Sequence, residues 1–259
     1  FYGHVTYLNN WNQKSEWLMI WDENIDIVRA NFTQYVNQQG KFDAIIIDEA
    51  QDLSIEIIDA ITILSDHLSL FADPNQPLKD PSSDVGQIQY LFQDIHLEIL
   101  TRNYRNTKEI YEFAAKQFMN GNELANNPAL TLSSVSDISS QPLIIQNVIT
   151  LDQQIIEIQN IVWEYPSNTI GIFVADIEKV ENLYQHFQNT TADVTCYHSR
   201  NKTFDKHKKR LITTYTSAKG LEFDIVIILV DNMKDKEKIN QKLYVLSTRA
   251  KKKLYYLFT

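Results

Sequence analysis

FDAIIIDEAQDL, residues 42–53, is the stretch whose reading decides the fold. Its apolar run at 44–47 has the length of a strand and is too uninterrupted for one that faces water, which predicts a strand buried on both sides. That strand runs directly into Asp48 and Glu49. In open α/β sheets ligands bind beyond the carboxyl ends of the strands, so the two carboxylates stand where chemistry is done. One can hold Mg²⁺ and the other can orient or deprotonate an attacking water. An acidic turn that merely closes a strand is the plainer reading of the same residues.

Outward from this point, apolar runs alternate with amphipathic segments. Residues 54–65 place apolar side chains at 55, 57, 58, 61 and 64, close to helical spacing. HLSLFAD (67–73) and HLEIL (96–100) read as strands. Thr107 caps a helix that puts Ile110, Phe113, Ala114 and Gln117 on one face. The stretch 120–141 collects Asn126, Asn127, Pro128 and SSVSDISSQP, loop formers without periodicity, and marks a domain boundary. Beyond it, strands are expected at 142–149, 169–175, 210–215, 224–230 and 253–258, with helices at 151–163, 177–187 and 239–247. The expectation is an α/β protein of two parallel-sheet domains, 1–130 and 140–259, with sheets covered on both faces.

Bulk composition narrows the functional classes. With 259 residues, 44% hydrophobic and 22% charged, the chain has the make-up of a soluble globular protein. IVIILV (225–230) is far too short to span a bilayer. The single cysteine, Cys196, excludes an internal disulfide, fits a cytoplasmic location and reads as a small core residue. A net charge of −9 excludes nucleic-acid binding over the whole surface, so any such track is local. The basic runs at 206–210 and 251–253 read first as solvated faces or turns.

Five segments in order carry a family resemblance: FDAIIIDEAQDL (42–53), LFADPNQPL (70–78), LTRNYRNTKEIYEFA (100–114), ITTYTSAKGLEFDIVIILV (212–230) and LYVLSTRAKKKLYYL (243–257). They resemble motifs II, III, IV, V and VI of superfamily 1 helicases of the UvrD/Rep kind. GHVTYLNNW (3–11) is similar to a DNA-touching segment that precedes motif II. The resemblance implies two RecA-like, P-loop NTPase-type domains, the first incomplete, with accessory subdomains minimal or absent. It also implies ATP and Mg²⁺ as ligands, single-stranded DNA or a duplex junction as partner, and 3′-to-5′ translocation.

The resemblance assigns roles to particular residues. Asp48 would bind Mg²⁺, Glu49 would be the base for the hydrolytic water, and Gln76 would sense the γ-phosphate. Tyr104 would stack on adenine, while Arg105 and Arg249 would reach the γ-phosphate, a task suited to a planar, permanently charged fork of donors. Gly220 permits close backbone approach and Glu222 would accept a bond from the ribose hydroxyl. Thr216 and Lys219 would contact the nucleic-acid strand. Each has a plainer reading: a polar loop residue for Gln76, a core ring for Tyr104, ion pairs for the arginines. Two departures weaken the expected grip on the strand. Thr216 stands where the family most often has His, and the segment after Gln76 supplies no tryptophan platform.

A phosphate-cradling G-x-x-x-x-G-K-[S/T] loop does not occur among the six glycines. The expectation is a fragment whose loop lies upstream of Phe1, inactive in hydrolysis alone. Two other readings stay open: the motor part of a helicase–nuclease or defence protein, and a non-hydrolysing nucleic-acid or protein-interaction module.

Overall fold

The computed structural model describes residues 24–73, 85–92, 96–100, 103–118, 141–145, 148, 150–190, 193–201, 204–205, 207–230 and 236–258. The chain divides into two compact units, Phe1–Leu97 and Glu98–Thr259. The division therefore falls before the stretch 120–141 where the sequence places a boundary. The segment resembling motif IV sits in the second unit, and its side chains explain why. Ile110 shares a core with Leu243 and Leu246, and Tyr111 meets Tyr244 edge-on with ring centroids 6.4 Å apart.

Among the described residues the first element is helix α1 (Ile25–Gln39), which periodicity does not mark because only Val28 and Phe32 on it are buried. Asn24 caps it by accepting from the Asp26 amide. Strand β1 (Ile45–Ile47) pairs in parallel with β2 (Leu68–Leu70), with Ile45 opposite Leu68 and Ile47 opposite Leu70. Between them lies α2 (Ile55–Ile61), capped by Ser54, and beyond β2 comes α3 (Val85–Leu91). Val28, Phe32, Ile45, Ile47, Ile58, Leu64 and Ile88 form this unit's core. Burial here is one-sided, contrary to the expectation from the apolar run: Ile47 is fully buried while Ile46, pointing the other way, is 54% exposed. The run at 96–100 forms no strand; Leu100 is 85% exposed, and strand propensity counts only where a pleated surface is at hand to pack against.

The second unit is built on a six-stranded, wholly parallel sheet. Its strands are β3 (Leu143–Ile145), β4 (Ile170–Val174), β5 (Val194–Tyr197), β6 (Arg210–Thr214), β7 (Phe223–Val230) and β8 (Ala250–Phe258), in the order β3-β8-β7-β4-β6-β5. The four-residue β5 is not among the strands expected from sequence. Helices α4 (Lys108–Phe118), α5 (Leu151–Glu164), α6 (Ile177–Thr190) and α7 (Lys236–Ser247) accompany the sheet. Thr150 and Gln153 close a reciprocal capping box on α5. The Thr107 hydroxyl, in contrast, is buried without a hydrogen-bond partner and so does not cap α4 as expected.

Alternation along the strands divides the core cleanly. Ile225, Ile227 and Leu229 of β7 join Ile155, Ile158, Val180 and Leu183 from α5 and α6 on one face. Val226, Ile228 and Val230 join Ile110, Leu243 and Leu246 from α4 and α7 on the other. Two-sided burial thus accounts for the unbroken apolar run, as the sequence requires of this sheet. Gly171 in β4 leaves room for an aromatic pair: a Cβ there would lie 2.6 Å from the Phe223 ring and 2.9 Å from Phe173. Among the described residues no helix is long and apolar enough to cross a membrane.

Candidate functional site

The acidic corner of the first unit follows β1 directly. Asp48 is exposed just past the strand's carboxyl end, and its Oδ1 accepts from the Glu49 amide at 2.9 Å. Glu49 adopts a left-handed backbone, φ 57°, the one positive φ among the described non-glycine residues. A Cβ-bearing residue there costs on the order of 1 kcal/mol, so the surrounding bonds must hold it. Several do. Phe71 donates to Ile47 O at 2.8 Å, and Ala50 donates to Phe71 O at 2.9 Å. These bonds extend the β1–β2 pairing past both strand ends. Gln51, 1% exposed at the middle of the 3-10 turn Ala50–Asp52, donates to Glu49 Oε2 at 2.6 Å and accepts from the Asp73 amide at 3.1 Å. Gln76 and residues 3–11 lie outside the described residues.

Asp48 and Glu49 offer hard carboxylate oxygens on an accessible loop, the donor chemistry that Mg²⁺ takes when substrate phosphates complete its shell. The residues present therefore fit that ion.

The second unit assembles a separate charged cluster at the amino edge of β7 and β8. It begins with an asparagine-directed turn. Asn103 Oδ1 accepts from the amides of Arg105 and Asn106, and its Nδ2 donates to Asn106 Oδ1 at 3.0 Å. This turn sends Tyr104 outward, 77% exposed, and Asn106 inward. Asn106 Nδ2 then donates to Thr248 O at 2.9 Å and Ala250 O at 2.6 Å, pinning the turn to the α7–β8 junction that carries Arg249. Nothing in the sequence patterning singles out Asn106 or Gln51. The only signal is their place inside the quoted segments, since a buried amide leaves no mark in periodicity.

Arg105 Nε lies 2.5 Å from Glu222 Oε1, and Lys251 Nζ lies 2.9 Å from Glu222 Oε2. Partial burial pushes the Glu222 carboxyl up, but the Lys251 bond and the charges of Arg105 and Lys251 outweigh it and hold the group below its ordinary value. Gly220, φ 74°, turns the chain just before Glu222 in a conformation that glycine takes without strain. Arg249 is 2% exposed, and its Nε donates to Val245 O at 3.0 Å near the end of α7. The expected cluster residues Arg105, Gly220, Glu222 and Arg249 thus occupy one region, with Tyr104 beside them, but Arg249 lies beneath the surface.

Thr216 lies elsewhere, past the carboxyl end of β6. It opens the short helix Thr216–Ala218, and Thr214 Oγ1 sits 3.3 Å from its hydroxyl. An open pocket of about 570 Å³ gathers Asp176, Glu178, Glu181, Arg200, Thr214 and Thr216. Lys219 follows the short helix and is half-buried. The lysine run at 251–253 is partly neutralised, Lys251 by Glu222 and Lys252 by Asp224 at 2.9 Å. Its plainer reading as a solvated, ion-paired face suits this geometry. Cys196 is buried, and burial pushes its thiol up, which suits a core residue.

Comparison with known proteins gives one family and several structures. No curated protein matches the chain. It is similar to the C-terminal domain of a possible DNA helicase from Lactobacillus plantarum WCFS1, at 17% identity over 61% of this chain and 88% of that one, TM-score 0.46. The PRRSV helicase is similar at 14% identity over 84% of this chain and 36% of that one, TM-score 0.43. Dbp5 from S. cerevisiae, bound to RNA and ADP BeF3, is similar at 14% identity over 89% of this chain and 57% of that one, TM-score 0.48. Residues 169–258, the run from β4 through β8, match the family described as viral superfamily 1 RNA helicase core domain.

Proposed function

We propose that this chain is part of an ATP-driven motor on single-stranded nucleic acid, a helicase or translocase core of superfamily 1. The observation that carries the reading is the ion cluster of Arg105, Glu222 and Lys251 beside Arg249, built from segments far apart in the chain. The family match over residues 169–258 supports it independently of that geometry.

Phosphoryl transfer needs positioned charge more than covalent chemistry. Asp48 would hold Mg²⁺, whose contribution when bound is to neutralise charge on the phosphates. Glu49 would take the proton of the attacking water, its carboxylate accepting from the Gln51 side-chain amide. Arg105 would exchange its partner, Glu222, for the γ-phosphate, while Lys251 keeps Glu222 ionised as it turns to the ribose hydroxyl. Tyr104 would offer a flat, exposed face for adenine. Arg249, now bonded to Val245 O, would have to turn outward to act as a second phosphate-binding arginine. Thr216 and Lys219 would meet the strand, and Gln76 would sense the γ-phosphate.

For the finer reading we propose single-stranded DNA as the track, 3′-to-5′ movement of the UvrD/Rep kind, and work in DNA repair, replication or recombination in the cytoplasm. The test is ATP hydrolysis by the natural gene product with single-stranded DNA, single-stranded RNA or neither, with Glu49→Gln as control. Stimulation by DNA that Glu49→Gln abolishes supports the reading. Stimulation by RNA alone keeps the motor and replaces its track with the nucleic acid named for the matching family. No nucleic-acid-stimulated hydrolysis, or hydrolysis indifferent to Glu49→Gln, refutes the motor.

A further inference from the structure

We infer that Gln51 is a positioning residue that locks the Glu49 carboxylate to the chain leaving β2. The side chain is buried, yet both ends of its amide are used: Nε2 donates to Glu49 Oε2 at 2.6 Å and Oε1 accepts from the Asp73 amide at 3.1 Å. A buried amide satisfied at both ends is rigid, because rotating it would leave a donor and an acceptor without partners in a low-dielectric setting. Glu49 needs such a restraint. Its positive φ is not the preferred state of a residue bearing a Cβ, and an unrestrained carboxylate would sample other directions.

The two anchors come from different strands. Glu49 follows β1 and Asp73 follows β2, and Ala50 N to Phe71 O stitches the same two segments at 2.9 Å. A displacement of the chain at Asp73 therefore reaches the Glu49 carboxylate through one side chain. The catalytic consequence rests on Glu49 acting as the base; the mechanical link does not. Aspartate at this position would be too short to span the two anchors, and leucine would fill the volume but make neither bond. Glutamate would keep the acceptor for Asp73 and put a second carboxylate against Glu49. Two carboxylates that close repel, which would turn the Glu49 carboxylate away from its present direction.

The test uses the natural gene product carrying Gln51→Leu, Gln51→Glu or Glu49→Gln, with hydrolysis measured against ATP concentration and amide exchange measured at Asp73. Gln51→Leu is expected to lower kcat about 10²-fold with KM for ATP little changed, as for a misplaced reacting group, and to speed exchange at Asp73. Gln51→Glu is expected to keep Asp73 protected and to lower kcat, again with KM for ATP little changed. Wild-type kcat in both variants, with Glu49→Gln inactive, would overturn the inference. So would losses that simply follow the folded fraction. Should the wild type not hydrolyse ATP, the motor reading fails by itself. Exchange at Asp73 then decides the link: equal rates in the wild type and Gln51→Leu overturn it.

Discussion

The acidic corner of the first unit and the ion cluster of the second are built in opposite ways. Asp48, Glu49 and Gln51 come from four consecutive residues at the carboxyl end of one strand, tied to the neighbouring strand by a few backbone bonds. Arg105, Glu222, Arg249 and Lys251 come from three separate segments and gather at the amino edge of β7 and β8. The familiar rule that ligands bind at the carboxyl edge of an open sheet points to the acidic corner and Thr216, and not to the ion cluster. A corner made from one turn depends on local backbone strain and its restraints. A cluster made from three segments depends on the core beneath it, so damage far away can displace it.

Five substitutions would break or sharpen this contrast. The largest effect is expected for Arg105→Ala, which under the motor reading should reduce kcat of the natural gene product by about 10³-fold or more, measured as steady-state ATP hydrolysis. Glu49→Gln should follow with about 10²- to 10⁴-fold, leaving thermal unfolding almost unchanged because the amide keeps the side chain's shape. Under that reading these two act on chemistry, one from each region.

The next two act on the scaffold of the second unit. Asn106→Ala leaves the carbonyls of Thr248 and Ala250 without their buried donor, and should destabilise the unit by about 1–3 kcal/mol in chemical denaturation. Gly171→Ala drives a methyl into the Phe223 ring and should likewise cost about 1–3 kcal/mol, with, under the motor reading, a rise in KM for ATP because Phe223 follows Glu222. An unchanged denaturation midpoint in both variants would deny that the cluster depends on its core.

The smallest effect concerns pH. Because the folded protein holds the Glu222 carboxyl below its ordinary value of 4.5, its ion pairs favour the folded state. That contribution is fully present above pH 4.5 and is lost as pH falls through the lowered value. Glu222→Gln should therefore lower Tm slightly at neutral pH, by less than about 1 kcal/mol equivalent for so exposed a pair, and the difference should vanish in acid. A difference that grows on acidification would reverse the sign of this assignment.

Much of the second unit is legible in residue order alone. IVIILV implies a strand buried on both faces, and the residues of β7 do divide between two cores. The same inference from AIII misjudges the first unit, because a continuous apolar run records the capacity for two-sided burial and not whether a layer covers each face. Weakly amphipathic α1 is hard to read since two buried side chains in fifteen residues leave little periodic signal. Gln51 and Asn106 leave no periodic mark because their bonds reach backbone groups in other segments, Asp73 for Gln51 and Thr248 and Ala250 for Asn106.

By itself the sequence determined the alternation of strand and helix, the acidic pair at a strand's end, and an ordered set of segments resembling a helicase. These follow from local residue spacing, which the chain carries with it. Only the tertiary structure decided that the turn at Asn103 belongs to the second unit, that Glu222 holds Arg105 and Lys251 together, and that Arg249 lies under the surface. Those outcomes rest on contacts between distant residues, set by how the faces of the sheet were covered.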